Sequence, residues 1–351
     1  MKELNNRIDV FLLPSDQVLG PLFLLNYDKY TLLDWVRDDK PKIAYASSFG
    51  TEYFDGNENL RAEMEFYLNR FDSISVRESS GIKYAKYNFN IDVEQVLDPI
   101  FLSDPNLFIE MANNSDQKIL QSSFLGVYVL KPTNQMSNLI KSLIYTLQLK
   151  KYFIIINPSI TNKSARSLWD IDFLENANVS DFLSCINNCD YFLTDSYHGI
   201  CFSIIFKKQF IALYDKDQEK ASERIYDLLK KLNLEKRLFS KSYNIIDNVK
   251  LLDKINYDDV YKVINTEIIR SKTYLTKMFE SISNYKKNRS VYDIIDDKID
   301  NIYKEYFLIK KISFVWLISY LNKLFHLLKK RGFLFTLIVV SKKIKKYFIK
   351  G

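Results

Sequence analysis

Apolar positions in the first hundred residues come as short runs separated by stretches with helical spacing. Ile8 to Leu13 reads as a buried strand closed by Pro14. Lys42–Ala46, Ser73–Val76 and Val93–Leu97 predict three more strands. Between the second and third, Glu58 to Phe71 places Leu60, Met64, Tyr67 and Leu68 on one face of a helix. Strands alternating with helices predict parallel pairing and an α/β layer architecture.

Residues 111–122 are polar and lack a period, so a domain boundary is expected there. A second α/β series then opens with strand Phe124–Leu130, helix 134–149 and strand Tyr152–Asn157. Helix Asp181–Asn187, strand Tyr191–Thr194, a helix opening at Gly199, strand Gln209–Leu213 and helix Glu219–Leu232 follow. Tyr257 to about Phe279 predicts a further helix, and 280–303 a polar connection. The expected division is an incomplete Rossmann-like domain over 1–112, a second over 113–279, and a basic helical tail over 280–351.

Composition adds little beyond a globular balance: 47% hydrophobic and 26% charged residues, with only 8 Gly and 7 Pro among 351. Charge changes the picture more. Residues 304–351 hold twelve Lys/Arg and one acid, leaving 38 basic and 42 acidic side chains in 1–303. A basic charge confined to a terminal segment rich in Phe, Leu and Ile fits an anionic membrane surface better than nucleic acid, whose footprint covers a folded face. The apolar stretch Gly332–Val340 is too short to span a bilayer. Three cysteines and an amino terminus without a secretory pattern predict a cytoplasmic protein, peripheral at the inner face of the membrane.

Candidate chemistry gathers where predicted strands end. Asp195-Ser196-Tyr197-His198 is expected to be the turn after strand Tyr191–Thr194, the edge where open α/β sheets bind ligands. The helix beginning at Gly199 would present its N-terminus to an anion there, with Asp195 or Ser196 as cap and His198 as proton carrier. The plainer alternative is that Asp195 and Ser196 only cap and a carbonyl satisfies His198. Arg77, after strand Ser73–Val76, could meet an anion or form a surface pair with Glu78. Asp98-Pro99 reads as a turn initiator. Ser15-Asp16-Gln17 could bind sugar hydroxyls. Arg224 could reach the same cleft as His198 or be a solvated helix charge. Cys185, Cys189, His198 and Cys201 have zinc-ligand residue types, but their spacing fits no zinc knuckle and no metal is expected.

Taken in order, Ser15-Asp16-Gln17-Val18, "IAYASSFG" (43–50), "SISVRESSG" (73–81), "VLDPIFL" (96–102), "LGVYVL" (125–130), "FLTDSYHGICFSIIFKKQFI" (192–211) and "SERIYDLLKKLNLEKR" (222–237) resemble the polysaccharide pyruvyl transferases. Leu19-Gly20 stands where that family has Trp-Asn, and the family's opening strand and Asn-Tyr-Gly loop have no counterpart. The resemblance implies a two-domain, GT-B-like fold. It also implies transfer of a pyruvyl group from phosphoenolpyruvate to two hydroxyls of a sugar, as a cyclic ketal, in capsule or other surface-polysaccharide synthesis on a glycan or lipid-linked acceptor. On that reading His198 is the general acid and base. Arg224, Arg77, Asp195, Ser196 and Gly199 serve the donor, Ser15, Asp16 and Gln17 face the acceptor, and no cofactor beyond the co-substrate is expected. The alternatives are a catalytically silent paralogue acting as a binding or partner subunit, and a glycosyltransferase of related fold using a nucleotide sugar.

Overall fold

The computed structural model describes residues 2–21, 24, 28–51, 53–115, 123–130, 136–155, 173–174, 177–214, 223–241, 246, 249, 253–283, 293 and 298–299. The strongly basic segment 304–351, and with it the expected membrane contact, lies outside the described residues. Among those described, no helix is long and apolar enough to cross a membrane.

Two sheets carry the fold. The first takes β1 (Phe11–Leu13), β2 (Lys42–Ser47), β3 (Ser73–Val76) and β4 (Glu94–Gln95) in the order β1-β2-β3-β4. The second takes β5 (Phe124–Tyr128), β6 (Lys151–Ile155), β7 (Phe173–Leu174), β8 (Tyr191–Thr194), β9 (Gln209–Tyr214) and β10 (Leu238–Ser240) in the order β10-β9-β8-β5-β6-β7. All five pairings in the second sheet are parallel, as are β2–β3 and β3–β4. This is the α/β architecture expected from the alternation of strands and helices.

Helices α1 (Glu58–Leu68) and α2 (Ser79–Phe89) cover the first sheet. Met64, Tyr67, Leu68, Tyr84 and Phe89 join Leu13, Ala44, Ile74 and Val76 in one core. Asn57 starts α1 by accepting the Leu60 N–H, and Asn90 ends α2 in the left-handed conformation at φ 53°. Around the second sheet lie α4 (Met136–Thr146), α5 (Val179–Asn188), α6 (Tyr197–Ile205) and α7 (Glu223–Lys231). A capping box between Asn178 and Asp181 fixes the start of α5.

The polar stretch 111–122 conceals the end of a helix. Asp104 caps α3 (Pro105–Asn113), with Pro105 in its first turn. Phe108 meets Phe202 edge-on, with ring centroids 5.1 Å apart, so α3 packs on the helices of the second sheet. The last helix, α8 (Tyr257–Ser283), runs four residues beyond the expected Phe279.

Contacts group the chain into two units. The larger, 12–34 with 42–283, contains both sheets apart from Phe11. The smaller gathers 1–11, 35–41 and residues from 284 onward. Within it, Asn5 donates to the Trp35 carbonyl and accepts the Arg37 N–H, Phe11 meets Trp35 edge-on, and the Asp38 N–H bonds Asp293.

The three cysteines are free and buried, and burial pushes the Cys189 thiol up to about 12. Gly126 on β5 leaves room for them: a Cβ there would sit 2.8 Å from the Phe192 ring and 3.2 Å from the Cys185 sulfur. Gly126→Ala should therefore destabilise the protein by about 1–3 kcal/mol, measured by denaturant unfolding.

Candidate functional site

Strand β2 does not end smoothly. Its register with β3 shifts between Ala44 and Ser47, and Ala46 adopts φ 51°. Bulges of this kind re-aim the groups beside them. Here the Ser15 hydroxyl binds the Ala46 carbonyl at 2.9 Å, and the Ala46 N–H donates to Ser75 at 3.1 Å. The preceding loop is strained as well, with Asp16 at φ 146° and bridged to Ser47.

Asp98 lies at the centre of the arrangement. It follows β4, and one oxygen caps the next turn through the Ile100 N–H. Its other oxygen, Oδ2, accepts the Ser15 hydroxyl at 2.8 Å and Arg77 Nη1 at 3.3 Å, and faces His198 Nε2 at 3.7 Å. The last distance suits an ion pair once the imidazole is protonated and is too long for a hydrogen bond. The side chains of Asp98 and Arg77 are each 1% exposed, whereas His198 is 42% exposed. Burial alone would push the Asp98 carboxyl up. His198, Ser15 and Arg77 together outweigh it and hold the group below its ordinary value.

Arg77 is enclosed by acids. Beyond Asp98 it reaches Asp16 at 3.3 Å and Glu78 at 3.8 Å, and its guanidinium lies 4.5 Å over the Tyr197 ring. The Arg77–Glu78 pair is thus a buried one, not a surface pair: the carboxylates and apolar ring around it exclude water.

The histidine segment differs from expectation in one turn. Helix α6 begins at Tyr197, not Gly199, because Ser196 is the N-cap and accepts the Gly199 N–H at 3.3 Å. His198 therefore stands in the first helical turn. Asp195 is held by the Leu130 N–H at 2.6 Å and by Lys241 at 2.8 Å. Gly199 is required by packing, since a Cβ would lie 2.6 Å from the Thr194 hydroxyl. The structure thus brings Ser15, Arg77 and His198 to one carboxylate, sets Asp16 on the far side of Arg77, and occupies Asp195, Ser196 and Gly199 in building the turn. The Gln17 amide lies close to Gly50.

Arg224 is not a solvated helix charge. Its Nε and Nη1 are buried and have no hydrogen-bond partner, and burial followed by the Arg77 charge pulls its pKa down. It lines a small solvent-open pocket with Ser48, Thr51, Glu78, Ser80 and Glu223. The sequence reading passed over Asp98 and Glu78 as a turn initiator and a surface partner. The available signal was position, since each acid directly follows a strand or its next few residues at the ligand-binding edge.

Removing the Asp98 charge takes from the buried Arg77 the fully buried one of its two closest partners, Asp16 remaining at the same 3.3 Å. Asp98→Asn should cost about 3 kcal/mol at neutral pH by denaturant unfolding. Because the folded-state value is depressed, Asp98 stabilises the wild type above its ordinary 3.8 and ceases to as pH falls through the lower folded value. The gap between wild type and variant should close over that acid range.

No curated protein matches the chain. In fold it is similar to a putative UDP-N-acetylglucosamine 2-epimerase from Listeria monocytogenes, with TM-score 0.50, 10% identity and coverage of 82% of this chain and 80% of that one. The UDP-N-acetylglucosamine 2-epimerase from Rickettsia bellii aligns with TM-score 0.49 and 14% identity over 80% of this chain and 76% of its own. The wall teichoic acid polymerase TagF gives TM-score 0.41 and 10% identity over 70% and 68%. The Listeria likeness agrees with a GT-B-type fold of two α/β layers. Residues 2–217 match the family model described as polysaccharide pyruvyl transferase, well over half of the sequence, and the chain belongs to that family.

Proposed function

We propose that this protein transfers the pyruvyl group of phosphoenolpyruvate to two hydroxyls of a sugar in a surface polysaccharide or its lipid-linked precursor, forming a cyclic ketal. The observation that carries the reading is the single Asp98 oxygen bound by Ser15 and faced by His198. It supports the reading because Ser15 of the strained loop and His198 meet at one carboxylate oxygen.

The reaction balances with two protons from the acceptor. One hydroxyl proton ends on the methylene carbon of the donor, which becomes a methyl group. The other leaves with phosphate when the second C–O bond forms. His198, half open to solvent, takes a proton from the attacking hydroxyl and returns one in the reverse sense, as one positioned base and acid can. Each proton that arrives on it meets the Asp98 carboxylate. Arg77 holds that carboxylate in place, and Arg224 offers unused N–H donors to the donor's phosphate. The basic, apolar-rich segment 304–351 favours a membrane-proximal acceptor.

Incubation with phosphoenolpyruvate and candidate glycans should release phosphate and yield an acid-labile pyruvylated sugar. His198→Ala should lower turnover about 10²–10⁴-fold while leaving the unfolding midpoint near that of the wild type. Normal turnover by His198→Ala, or inhibition by nucleotide sugars with none by phosphoenolpyruvate analogues, would rule the reading out.

A further inference from the structure

The start of α2 is closed by a residue of the other layer. Glu78 holds the N-cap position of that helix, but its side chain makes no capping bond. Asp227 of α7 acts in its place: its carboxylate accepts the Ser79 N–H at 3.0 Å and the Ser79 hydroxyl at 2.6 Å. The same carboxylate accepts Gln95 Nε2 at 2.7 Å, and Gln95 Nε2 also donates to the Arg77 carbonyl at 3.2 Å. One side chain of α7 thus grips the first layer on both sides of Arg77, two residues after it and through the neighbouring strand β4.

A local Asp, Asn or Ser at position 78 could have capped the helix as well. It could not have fastened α7. Ile225, Leu228 and Leu229 bury one face of α7 in the core of the second layer. Arg224 and Asp227, three residues apart, share a neighbouring flank turned toward Ser48, Ser79 and Ser80 of the first layer. Arg224 stands there against resistance. Its Nε and Nη1 are buried without acceptors, and the charge of Arg77 repels it. Both effects push α7 away from the first layer. Three hydrogen bonds to one ionised carboxylate supply the opposing hold.

We propose that Asp227 is a positioning residue for Arg224: its clasp on Ser79 and Gln95 keeps α7 against the first layer and so holds the Arg224 donors ready for an anion. The inference rests on Arg224 as the ligand of the donor's phosphate. An anion seated on Arg224 meets the buried donors and offsets the Arg77 charge, so it favours the same placement of α7 as the clasp does. Two interactions that favour one arrangement are coupled, and the coupling is reciprocal: the anion tightens the clasp as much as the clasp tightens the anion. Charge alone gives the opposite sign. A carboxylate beside an anion site repels the anion, so if Asp227 were only a neighbouring charge, its removal would strengthen binding.

The test uses the full chain, with inorganic phosphate as the calorimetric probe. Asp227→Ala should weaken phosphate binding about 10-fold, and Arg224→Gln should weaken it as well. In the Arg224→Gln background, Asp227→Ala should bring little further loss, because the side chain it positions is gone. Ser79→Ala deletes only the hydroxyl, at an exposed position, and keeps the N–H bond to Asp227. It should give a smaller loss in the same direction, roughly 3-fold, and serves if Asp227→Ala folds poorly.

Amide hydrogen exchange reads the coupling from the other side. Phosphate should slow exchange of the Ser79 N–H in the wild type and not in Arg224→Gln. A residue that only caps a helix would lower the unfolding midpoint and move neither measurement. In turnover, Asp227→Ala should raise the KM for phosphoenolpyruvate about 10-fold while kcat stays within roughly 3-fold. Unchanged or tighter phosphate binding in Asp227→Ala, an equal further loss in the Arg224→Gln background, Ser79 exchange indifferent to phosphate, or no phosphate binding by the wild type would overturn the proposal. If the coupling is found but phosphoenolpyruvate is not turned over, the clasp stands and the pyruvyl-transfer reading falls. If His198-dependent turnover occurs with an unchanged KM in Asp227→Ala, the reverse holds.

Discussion

Asp98 and Arg77 meet at 3.3 Å with both side chains almost wholly out of water. Neither could be held there alone, because burying one unpaired charge costs several kcal/mol. Each therefore fixes the other, and the remaining site groups are arranged on the pair. Ser15 uses the second approach to the same carboxylate oxygen, Asp16 the outer edge of the guanidinium, Tyr197 its face, and His198 the open side of Asp98. These residues come from both α/β layers, so the ion pair also links the layers where chemistry is expected.

The two arginines divide the work in a way that their residue type does not reveal. Arg77 is surrounded by Asp98, Asp16 and Glu78 and has its charge compensated within the protein. Arg224 has donors left over. The difference follows from neighbours contributed by segments far apart in sequence, which surround one arginine with acids and leave the other with unmet donors.

The layer architecture was readable from periodicity because parallel strands buried on both faces appear as plain apolar runs, as Phe192–Thr194 and Phe210–Leu213 do. Short edge strands such as β7 and β10 carry too few residues to produce a pattern, and their formation depends on the neighbour already in place. Helix α3 gave no helical period because its apolar Leu107, Ile109 and Met111 are exposed and only Ala112 is buried. His198 and Arg224 could be singled out because their types are chemically suggestive at a strand edge or helix start. Asp98 could not, because an Asp-Pro pair after a strand looks the same whether it only turns the chain or also anchors an arginine 21 residues earlier. The roles of Asp195 and Gly199 depended on Lys241 and Thr194, partners that no local reading identifies.

Helix α8 has a consequence for how the two layers can move. Near its start, Tyr257 and Tyr261 donate to carbonyls at the end of α6, including Ser203 and Ile205. Fourteen residues after Tyr257, Ser271 accepts the Leu97 N–H beside Asp98, and Tyr274 bonds Ser73 of β3. The helix is thus a strut pinned at one end to the layer bearing His198 and at the other to the layer bearing Asp98. At about 1.5 Å of rise per residue, the pinned segment sets a fixed spacing of roughly 20–25 Å between its anchors. A rigid gauge of this kind favours rocking about its ends over wide separation of the layers. Inserting a single residue between the anchors would turn the far set by about 100° and undo the meeting of acid and histidine without altering any residue of the site.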